Sequence, residues 1–548
     1  MIKRNYNRII VSKGVADDEA LSLNFEKGTH LFLCKPCIIE TGGYAIFDFR
    51  TELCGRLHIV FAWNEENGIA RVRLGESVAE TCAEKGENNA GNYHSLRDCV
   101  YPVVALSDFS TSESGFRFAR IDNIGDCPIK ISSVYAEEEP NGLAVRGKFT
   151  CSDECLNRIY EVAERTLSLC VRENDVWDGI KRDRVAWIGD FYPELIGAHK
   201  LYGDIPQFRK VLDLIYEFDD AWVNSIPSYS AWWIICLEKY YELSGNETYV
   251  KGMLRYVEKI VRDFAVIIKK DGEVSYADSN LGFFKDNEFF LDWQTCKSED
   301  SKTGWRYLVI YAMSCAKKLL KTFGADDTLA KELIERLDRY EYANSEFKQV
   351  TALGVLCGRL GGEEAKAALK KNGIVGTSAF MSFAVIEAMR KLGDGENALD
   401  FIRDYFGAMI DLGATTFWED FDGSWLDSDP LALDAMPDPN KINIHADFGR
   451  FCYKGLRHSL CHGWSCGFTD FLYSFVLGIS PLEPGYKRIK IEPHLCDLDF
   501  VSGVIPTAYG DVKVDFRSEN GMITGKIVKP KNVVIECTDT FMAEIIEL

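Results

Sequence analysis

The chain has 548 residues, which at about 150 residues per domain predicts two to four domains. Its formal net charge is −21, and because so acidic a surface repels phosphate backbones, we exclude nucleic acid as a partner. No segment contains the ~18 consecutive apolar residues that a membrane span requires, so the sequence predicts a soluble protein without a membrane partner. The oligomeric state stays open, and a homo-oligomer is compatible with the sequence.

The N-terminal residues and the cysteines predict a cytoplasmic location. The start, MIKRNYNRIIVSK, lacks the apolar run and the cleavage site of a secretory signal. The 18 cysteines are scattered without the regular spacing of a disulfide framework, as expected for thiols in a reducing compartment. His30, Cys34 and Cys37 have a spacing that suits zinc, but no fourth ligand follows nearby, and we interpret the two cysteines as buried thiols.

Short β-rich runs alternate with turns over residues 1–145. The runs include YAIFDF, RLHIVFAW, IARVRLGE and FRFARI, and Gly42-Gly43 and Asn67-Gly68 mark turns between them. This spacing predicts an antiparallel N-terminal β-sandwich. The charged segment EEEPNG, with its proline and glycine, predicts a linker after it.

From Cys151 the apolar period becomes that of a helix. In CLNRIYEVAERTLSLCV one face carries Leu156, Ile159, Tyr160, Ala163, Leu167 and Cys170. Several later stretches end at a glycine suited to a helix C-terminus, namely Gly203, Gly245, Gly324 and Gly393. At ~11 to 12 residues per helix, residues 146–480 accommodate about a dozen helices.

Alternation returns after Gly478. The segments ISPLEPGYKRIKIEPHL, VIPTAYGDVKVDF and MITGKIVKP predict a small C-terminal β domain over residues 481–548. The predicted fold class is therefore multi-domain α+β, with strands, then helices, then strands.

The most polar segment within the helical region is WDGIKRDRVAWIGDFYPE. Asp178 and Asp183 would lie ~140° apart on one helix, so we predict a loop that brings their side chains to a cavity mouth. Pro193 predicts that the next helix begins there. An ion-pair network, in which Arg182 and Arg184 satisfy the carboxylates, is the alternative interpretation.

A second acidic segment, DLGATTFWEDFDGSW, places Glu419 on a short extended stretch beside Trp418. From Asp411 to Asp447 there are nine acidic residues and one lysine, which disfavours anionic substrates here. A calcium site from Asp420, Asp422, Asp427 or Asp429 is conceivable, but the spacing does not match an EF-hand loop. A solvated acidic loop is the simpler interpretation.

The segment SLCHGWSCGFTDFLYSF places His462 beside Trp464, where a lone histidine is more often structural. The sequence lacks a GxSxG elbow, a GxGxxG turn after a strand, a Walker loop and an HExxH pair. These absences argue against serine hydrolases, dinucleotide enzymes, phosphoryl transfer and zinc proteases. Paired carboxylates remain the best candidate chemistry.

Taken in order, these segments resemble glycoside hydrolase family 78, the inverting α-L-rhamnosidases. The first motif is matched by Asp178, Arg182-Asp183-Arg184, Trp187 and Gly189-Asp190. GATTFWE resembles the segment of the general base, SLCHGWS the segment of an active-site histidine, and PLEPGYKRIKIEPHL the entry to the terminal β domain. The resemblance covers most of the chain.

The resemblance implies a central (α/α)6 helical barrel that carries two catalytic carboxylates. Asp183 would be the general acid and Glu419 the general base. The expected substrate-binding residues are Asp178, Arg182, Trp187, Asp190, Trp293, Trp418 and His462. No metal ligand or cofactor is expected, and calcium dependence stays open. The implied activity is release of a terminal L-rhamnose or similar deoxy sugar from a small neutral oligosaccharide or glycoside.

One residue departs from the family pattern. The family usually has Glu as the acid, whereas residue 183 is Asp, which places the proton donor ~1.5 Å farther back unless the loop moves inward. Misplacement of ~1 Å can cost ~100-fold in rate. A catalytically impaired carbohydrate-binding protein, or an inverting (α/α)6 hydrolase or phosphorylase for another sugar, are therefore the alternatives. The acidic residues around Glu419 argue against phosphate as the nucleophile.

Overall fold

The computed structural model describes residues 1–27, 34–218, 221–276, 289–296, 298–449 and 452–548. An N-terminal sheet, a long helical region and C-terminal sheets follow one another, which confirms the predicted multi-domain α+β organisation. His30 of the suggested zinc cluster lies outside the described residues; Cys37 is buried, as predicted, whereas Cys34 is only half-buried. Among the described helices, each is too short or too polar to cross a membrane.

The N-terminal strands form one eight-stranded sheet in the order β1-β8-β3-β7-β4-β5, with β2 and β6 also paired to β3. The bounds of the elements in this region are β1 (Ile2–Asn5), β2 (Arg8–Ala16), α1 (Glu19–Lys27), β3 (Cys37–Phe61), β4 (Ile69–Gly75), α2 (Val78–Cys82), β5 (Asp98–Pro102), β6 (Asp108–Ser110), β7 (Ser114–Asn123) and β8 (Ile129–Glu138).

The sequence predicted a sandwich, whereas the described strands are hydrogen-bonded into a single sheet. The reason is β3, whose 25 residues pair with β2, β6, β7 and β8 along its length. Its pairing with β7 shifts register between Asp48 and Leu53, as a bulge that bends a strand would do. Buried Phe47, Leu57 and Phe116 belong to the core of this sheet.

Twelve α-helices follow in the described part of the middle region. Their bounds are α3 (Glu154–Cys170), α4 (Ile188–Tyr202), α5 (Pro206–Leu212), α6 (Pro227–Ser244), α7 (Glu247–Ile267), α8 (Asp300–Thr322), α9 (Thr328–Leu337), α10 (Lys348–Leu356), α11 (Gly362–Lys370), α12 (Ser382–Lys391), α13 (Gly395–Asp411) and α14 (Thr469–Phe471). Helices α4, α6, α8, α10 and α12 pack on one another in succession, and α14 packs on α4.

The helices of this region differ in how much of their surface is buried. All residues of α4 are buried, and so are most of those of α6 and α8. Helix α3 instead buries one face, which contains all six residues that the sequence predicted. Its N-cap is Asp153, whose side chain accepts hydrogen bonds from the amides of Cys155 and Leu156, an arrangement that satisfies otherwise unpaired helix donors.

The predicted start of α4 at Pro193 is wrong, because the helix begins at Ile188. Pro193 therefore lies inside the helix, and Asp190 occupies its first turn. This shift matters for the site, since it fixes Asp190 on a rigid helix and leaves only the residues before Ile188 in the loop.

The C-terminal region contains a three-stranded sheet, β10-β11-β15, and a five-stranded sheet, β16-β14-β13-β12-β9. The bounds are β9 (Lys148–Cys151), β10 (Ile479–Pro481), β11 (Arg488–Ile491), β12 (Phe500–Thr507), β13 (Gly510–Glu519), β14 (Met522–Lys529), β15 (Val534–Cys537) and β16 (Phe541–Glu547). Strand β9 precedes α3 in the chain but pairs with β12, so the chain joins the C-terminal sheet before it enters the helices.

The connection from the helices to the C-terminal sheets depends on Gly478. Its φ is +70°, and a Cβ there would lie 2.0 Å from the carbonyl oxygen of Glu492. We predict that Gly478→Ala lowers the free energy of unfolding by about 3 kcal/mol or more, because a backbone clash adds to the ~1–2 kcal/mol of left-handed strain. Gly393→Ala is the control, since Gly393 has φ +73° but open space around it. Equal losses of stability in urea denaturation would contradict the clash.

Candidate active site

A cavity of about 240 Å³ opens where loops lead into the buried helices. It is slightly smaller than the ~300–1,000 Å³ of pockets that hold drug-sized ligands, so it has room for one sugar ring. Its lining comes from the loop before α4, the start of α6, the segments before α8 and α14, and the segment after α13. The lining residues are Asp178, Arg182, Asp183, Trp187, Asp190, Ile226, Tyr229, Phe290, Trp293, Glu419, Cys452, Tyr453, His462 and Trp464.

The loop before α4 is held in a strained conformation. Asp183 and Arg184 both have φ of +57°, a region that costs ~1–2 kcal/mol for a residue with a Cβ. The Asp178 carboxylate accepts a hydrogen bond from the Val185 amide at 3.2 Å. Arg184 turns away from the cavity and pairs with Glu113 at 2.5 Å. These contacts leave Asp183, with a side chain 35% exposed, at the cavity mouth.

Glu419 is buried and has a partner at each carboxylate oxygen. Its Oε2 is bonded to a guanidinium nitrogen of Arg182 and accepts a hydrogen bond from the Ser459 amide at 2.9 Å. Its Oε1 accepts a hydrogen bond from the Cys452 thiol at 2.8 Å, and the His462 Nε2 lies 3.9 Å away. Glu419, the base predicted from the sequence, thus lines the cavity, and its Oε1 has fewer hydrogen-bond donors than its Oε2.

Arg182 joins the two predicted catalytic carboxylates. One of its terminal nitrogens contacts Asp183 and the other contacts Glu419. Its Nε donates a hydrogen bond to the Arg457 carbonyl at 3.0 Å, and its guanidinium lies 3.9 Å from the centre of the Tyr453 ring. The ion pairs that the sequence offered as an alternative are therefore present, but those of Arg182 lie in the cavity wall.

The carboxyl groups of the cavity have opposite electrostatic environments. Burial alone would raise the pKa of Glu419, but the charge of Arg182, together with His462 and His458, holds it well below its usual value. Burial raises the pKa of Asp178 to about 8 despite Arg182. Burial, with Asp178 and Glu419 as like charges, also raises the pKa of Asp190 well above its usual value. At neutral pH the site thus holds an ionised Glu419 near two carboxyl groups that favour the protonated form.

His462 lies between two of these acids. Its Nε2 is 3.8 Å from Asp190 Oδ2 and 3.9 Å from Glu419 Oε1, and its ring lies 4.2 Å from that of Trp464. Burial lowers its pKa to about 3, so the imidazole is neutral at physiological pH. A neutral imidazole offers one donor and one acceptor to a sugar hydroxyl.

Aromatic rings form the walls of the cavity, but not all the predicted ones. Trp187 and Trp293 line it as predicted. Trp418 does not: its side chain is fully buried and packs on Phe421. In an extended segment successive side chains point to opposite sides, so Trp418 and Glu419 do not both face the cavity. Trp464 lines the cavity instead, with its indole N–H donating to the Glu419 carbonyl at 3.1 Å.

Sequence reasoning missed several lining residues. Tyr229, Phe290, Cys452 and Tyr453 were not predicted. Cys452 and Tyr453 lie in a segment without helical or strand periodicity, so no local signal marked them. Trp464 was part of the quoted SLCHGWS motif and could have been assigned from its position beside His462.

A second, water-sized cavity shares part of its lining with the first, including Glu419. Its volume is about 10 Å³, which suits roughly one water molecule. Trp293, Glu419, Cys452 and Trp464 line both cavities, and the second is completed by Asp292, Gln294, Ser378, Phe380 and Asp420. Glu419 therefore borders both a sugar-sized space and a water-sized one.

Asp422, one of the acids after Glu419, is held by backbone amides. Asp422 accepts hydrogen bonds from the amides of Ser424 and Gly376. Among the described residues, three potential ligands converge at Glu76, Glu80 and His445. The Lys181 ammonium already lies 3.3 Å from Glu76 and 3.1 Å from Glu80, so a cation of the protein itself occupies that position.

Comparison with known proteins supports the family resemblance. Residues 478–538 match the model of the bacterial alpha-L-rhamnosidase C-terminal domain. A GH78 family rhamnosidase of Bacillus sp. GL1 superposes with a TM-score of 0.72 at 20% identity, over 95% of this chain and 55% of that one. The chain has the fold of the family 78 rhamnosidases. The predicted resemblance is thereby confirmed at the level of the fold.

Two further similar structures contain a bound sugar. A rhamnosidase from Klebsiella oxytoca with rhamnose bound has a TM-score of 0.66 at 18% identity, over 86% of this chain and 94% of that one. A Streptomyces avermitilis alpha-L-rhamnosidase complexed with L-rhamnose has a TM-score of 0.65 at 14% identity, over 88% of this chain and 47% of that one. The chain thus spans about half the length of the Bacillus and Streptomyces proteins. No curated protein sequence matches it.

The raised pKa of Asp178 predicts a pH-dependent stability. A buried carboxyl whose pKa rises on folding binds a proton more tightly in the folded state, so its contribution to stability is lost as pH rises from about 4 towards 8. We predict that Asp178→Asn, which keeps the acceptor for the Val185 amide, gains stability relative to wild type over this range, by at most ~1.4 kcal/mol per pH unit. Urea denaturation at several pH values measures the difference. The exposed control Asp438→Asn should show none, and a pH-independent difference for Asp178→Asn would contradict the prediction.

Proposed function

We propose that this protein is an exo-acting α-L-rhamnosidase that releases a terminal L-rhamnose, or a similar deoxy sugar, by inverting hydrolysis. The observation that carries the proposal is Arg182, which holds Asp183 and Glu419 at the same sugar-sized cavity. Inverting enzymes use two carboxyl groups ~6.5–9.5 Å apart, with room for a water between one of them and the sugar. The guanidinium between the two side chains keeps them apart.

We also propose that the helices form an (α/α)6 barrel. The inner ring would contain α4, α6, α8, α10 and α12, which pack in succession, together with α14, which packs on α4, and the outer ring would contain the odd-numbered helices from α3 to α13. The nearly complete burial of α4 and the single buried face of α3 support this assignment. In such a barrel the loops before the inner helices meet at one end, where the cavity lies.

Glu419 would act as the general base. Its low pKa keeps it ionised, and Oε1 has only the weak thiol donor of Cys452. The water-sized cavity that Glu419 also lines would supply the nucleophile. Glu419 would remove a proton from that water as its oxygen attacks the anomeric carbon, while the bond to the departing oxygen breaks.

Asp183 would act as the general acid. It lies at the cavity mouth, where the departing part of the glycoside would extend towards solvent. It would give its proton to the glycosidic oxygen and recover one from solvent after each turnover, which its partial exposure permits. Asp is one methylene shorter than the Glu usual in the family. The left-handed backbone conformation of Asp183 and Arg184 would compensate for this by bringing the carboxyl group closer to the glycosidic bond.

The remaining polar residues would hold the sugar. Asp178 and Asp190, which favour the protonated form, would each offer a donor and an acceptor to hydroxyl groups. His462 would add one more contact, and Trp187, Trp293 and Trp464 would pack on the sugar ring. The small volume and the acidic lining favour a single neutral terminal sugar over a polymer segment or an anion.

The first test is a screen of aryl glycosides with carboxylate variants. We expect the wild type to hydrolyse an aryl α-L-rhamnoside and Glu419→Gln to lose ~10³-fold or more in kcat, because the water loses its proton acceptor. In Asp183→Asn, kcat should fall ~10²-fold or more. The fall should be smaller with a substrate whose leaving group needs no proton. The exposed variants Glu335→Gln and Asp438→Asn serve as controls.

Full activity in both active-site variants would refute the assignment. Binding of L-rhamnose without turnover in the wild type would favour a carbohydrate-binding protein that has lost catalysis. Turnover that requires phosphate would favour a phosphorylase, and turnover of another aryl glycoside would change the sugar but keep the mechanism.

A further inference from the structure

The N-terminal sheet contributes to a buried charge cluster next to the proposed active site. The cluster consists of Glu76, Glu80, Arg97, Lys181 and His445, and all five side chains are buried. Glu76 follows directly after β4, and Glu80 lies in α2, whereas Lys181 immediately precedes Arg182 in the active-site loop. The cluster is therefore a point where the N-terminal sheet contacts the loop that carries the proposed acid.

Lys181 is the centre of the cluster. Its ammonium lies 3.3 Å from Glu76 Oε2 and 3.1 Å from Glu80 Oε1. It also donates hydrogen bonds to the carbonyls of Leu456 at 2.5 Å and His458 at 3.0 Å. Arg97 pairs with the same oxygen of Glu80 as Lys181 does, at 3.0 Å from Oε1. These two acids and two bases thus lie against one another away from water, where each depends on its partner.

Glu76 reaches across to the segment that holds the proposed base. Its Oε2 accepts a hydrogen bond from the Leu460 amide at 2.8 Å, and its Oε1 lies 3.4 Å from the Ser459 hydroxyl. Residues 456–460 are therefore held at two points. Lys181 binds the carbonyls of Leu456 and His458, and Glu76 binds the amide of Leu460.

The same segment fixes Glu419. The Ser459 amide donates to Glu419 Oε2 at 2.9 Å, and the Glu419 amide donates to the Ser459 carbonyl at 3.0 Å. The residue after Glu419 and the residue before Ser459 are joined as well, because the Asp420 amide donates to His458 Nε2 at 3.1 Å. A continuous series of hydrogen bonds therefore runs from the N-terminal sheet to the carboxylate proposed to activate water.

We propose that Glu76 is a positioning residue, which holds Glu419 in its reactive place through Lys181 and residues 458–460. This inference rests on the proposed function, in which Glu419 is the base. Glu76 does not line the cavity, so it acts on the reaction only through its neighbours. Because a shift of ~1 Å in a catalytic group can cost ~100-fold in rate, the N-terminal sheet is part of the catalytic apparatus and not a separable accessory.

The test compares Glu76→Gln and Glu76→Ala with Glu138→Gln in the full chain. Glu138 is a matched control, because it is a buried acid of the same sheet that pairs with Arg165 of α3 at 2.6 Å, away from the cavity. With the best aryl glycoside from the screen, we expect kcat to fall ~10- to 100-fold in the Glu76 variants and KM to change less than ~2-fold. Glu138→Gln should stay within ~2-fold of wild type in both.

Equal kcat values in the Glu76 and Glu138 variants would overturn the inference, and so would a loss confined to KM. If the single variants do not fold, the double variant Glu76→Gln with Lys181→Gln takes their place with the same expectation, because it removes one acid and one base together and leaves Glu80 paired with Arg97.

A crystal structure of the Glu76 variant tests the inference without any activity. We expect residues 458–460 and the Glu419 carboxylate to be displaced relative to wild type, and an unmoved Glu419 would contradict us. An inactive wild type would instead count against the proposed function alone.

Discussion

The buried guanidinium of Arg182 is the interaction on which the site depends. It contacts Asp183 and Glu419, residues from two loops far apart in the chain, and stacks on Tyr453. Without it, Asp183 and Glu419 would face each other across the cavity with no positive charge between them, and like charges disfavour ionisation. With it, Glu419 stays ionised although it is buried, while Asp178 and Asp190, which have no such partner, favour the protonated form.

Around Arg182, the acidic side chains of the cavity come from both a rigid helix and the loop that precedes it. Asp190 stands in the first turn of α4, a helix buried along its whole length. Asp178 and Asp183 lie in the preceding loop, whose left-handed residues direct one side chain into the cavity and Arg184 out of it. The strained backbone is compensated by the ion pairs and hydrogen bonds that the loop makes on both sides.

Much of the fold and part of the site could be predicted from the sequence. Apolar periodicity identified the buried face of α3, and local turn chemistry identified the strands at either end. The motif around Asp178 and Asp183 and the extended stretch at Glu419 named the central carboxyl groups. Contacts between distant segments left no local signal: the pairing of β9 with β12, the thiol of Cys452 at Glu419, and Glu76 at Leu460 all join residues more than 30 positions apart. Trp418 does not line the cavity as expected, because neighbouring side chains of an extended segment point to opposite sides.

The central claim is a single displacement between Asp183 and Glu419. Proton NMR of an aryl α-L-rhamnoside during the first minutes of turnover tests it most directly, because the anomeric proton reports which face the water attacked. The account predicts that the β anomer of the released sugar forms first and that the α anomer grows only later, by mutarotation. An α anomer as the first product would mean retention of configuration and would contradict the account.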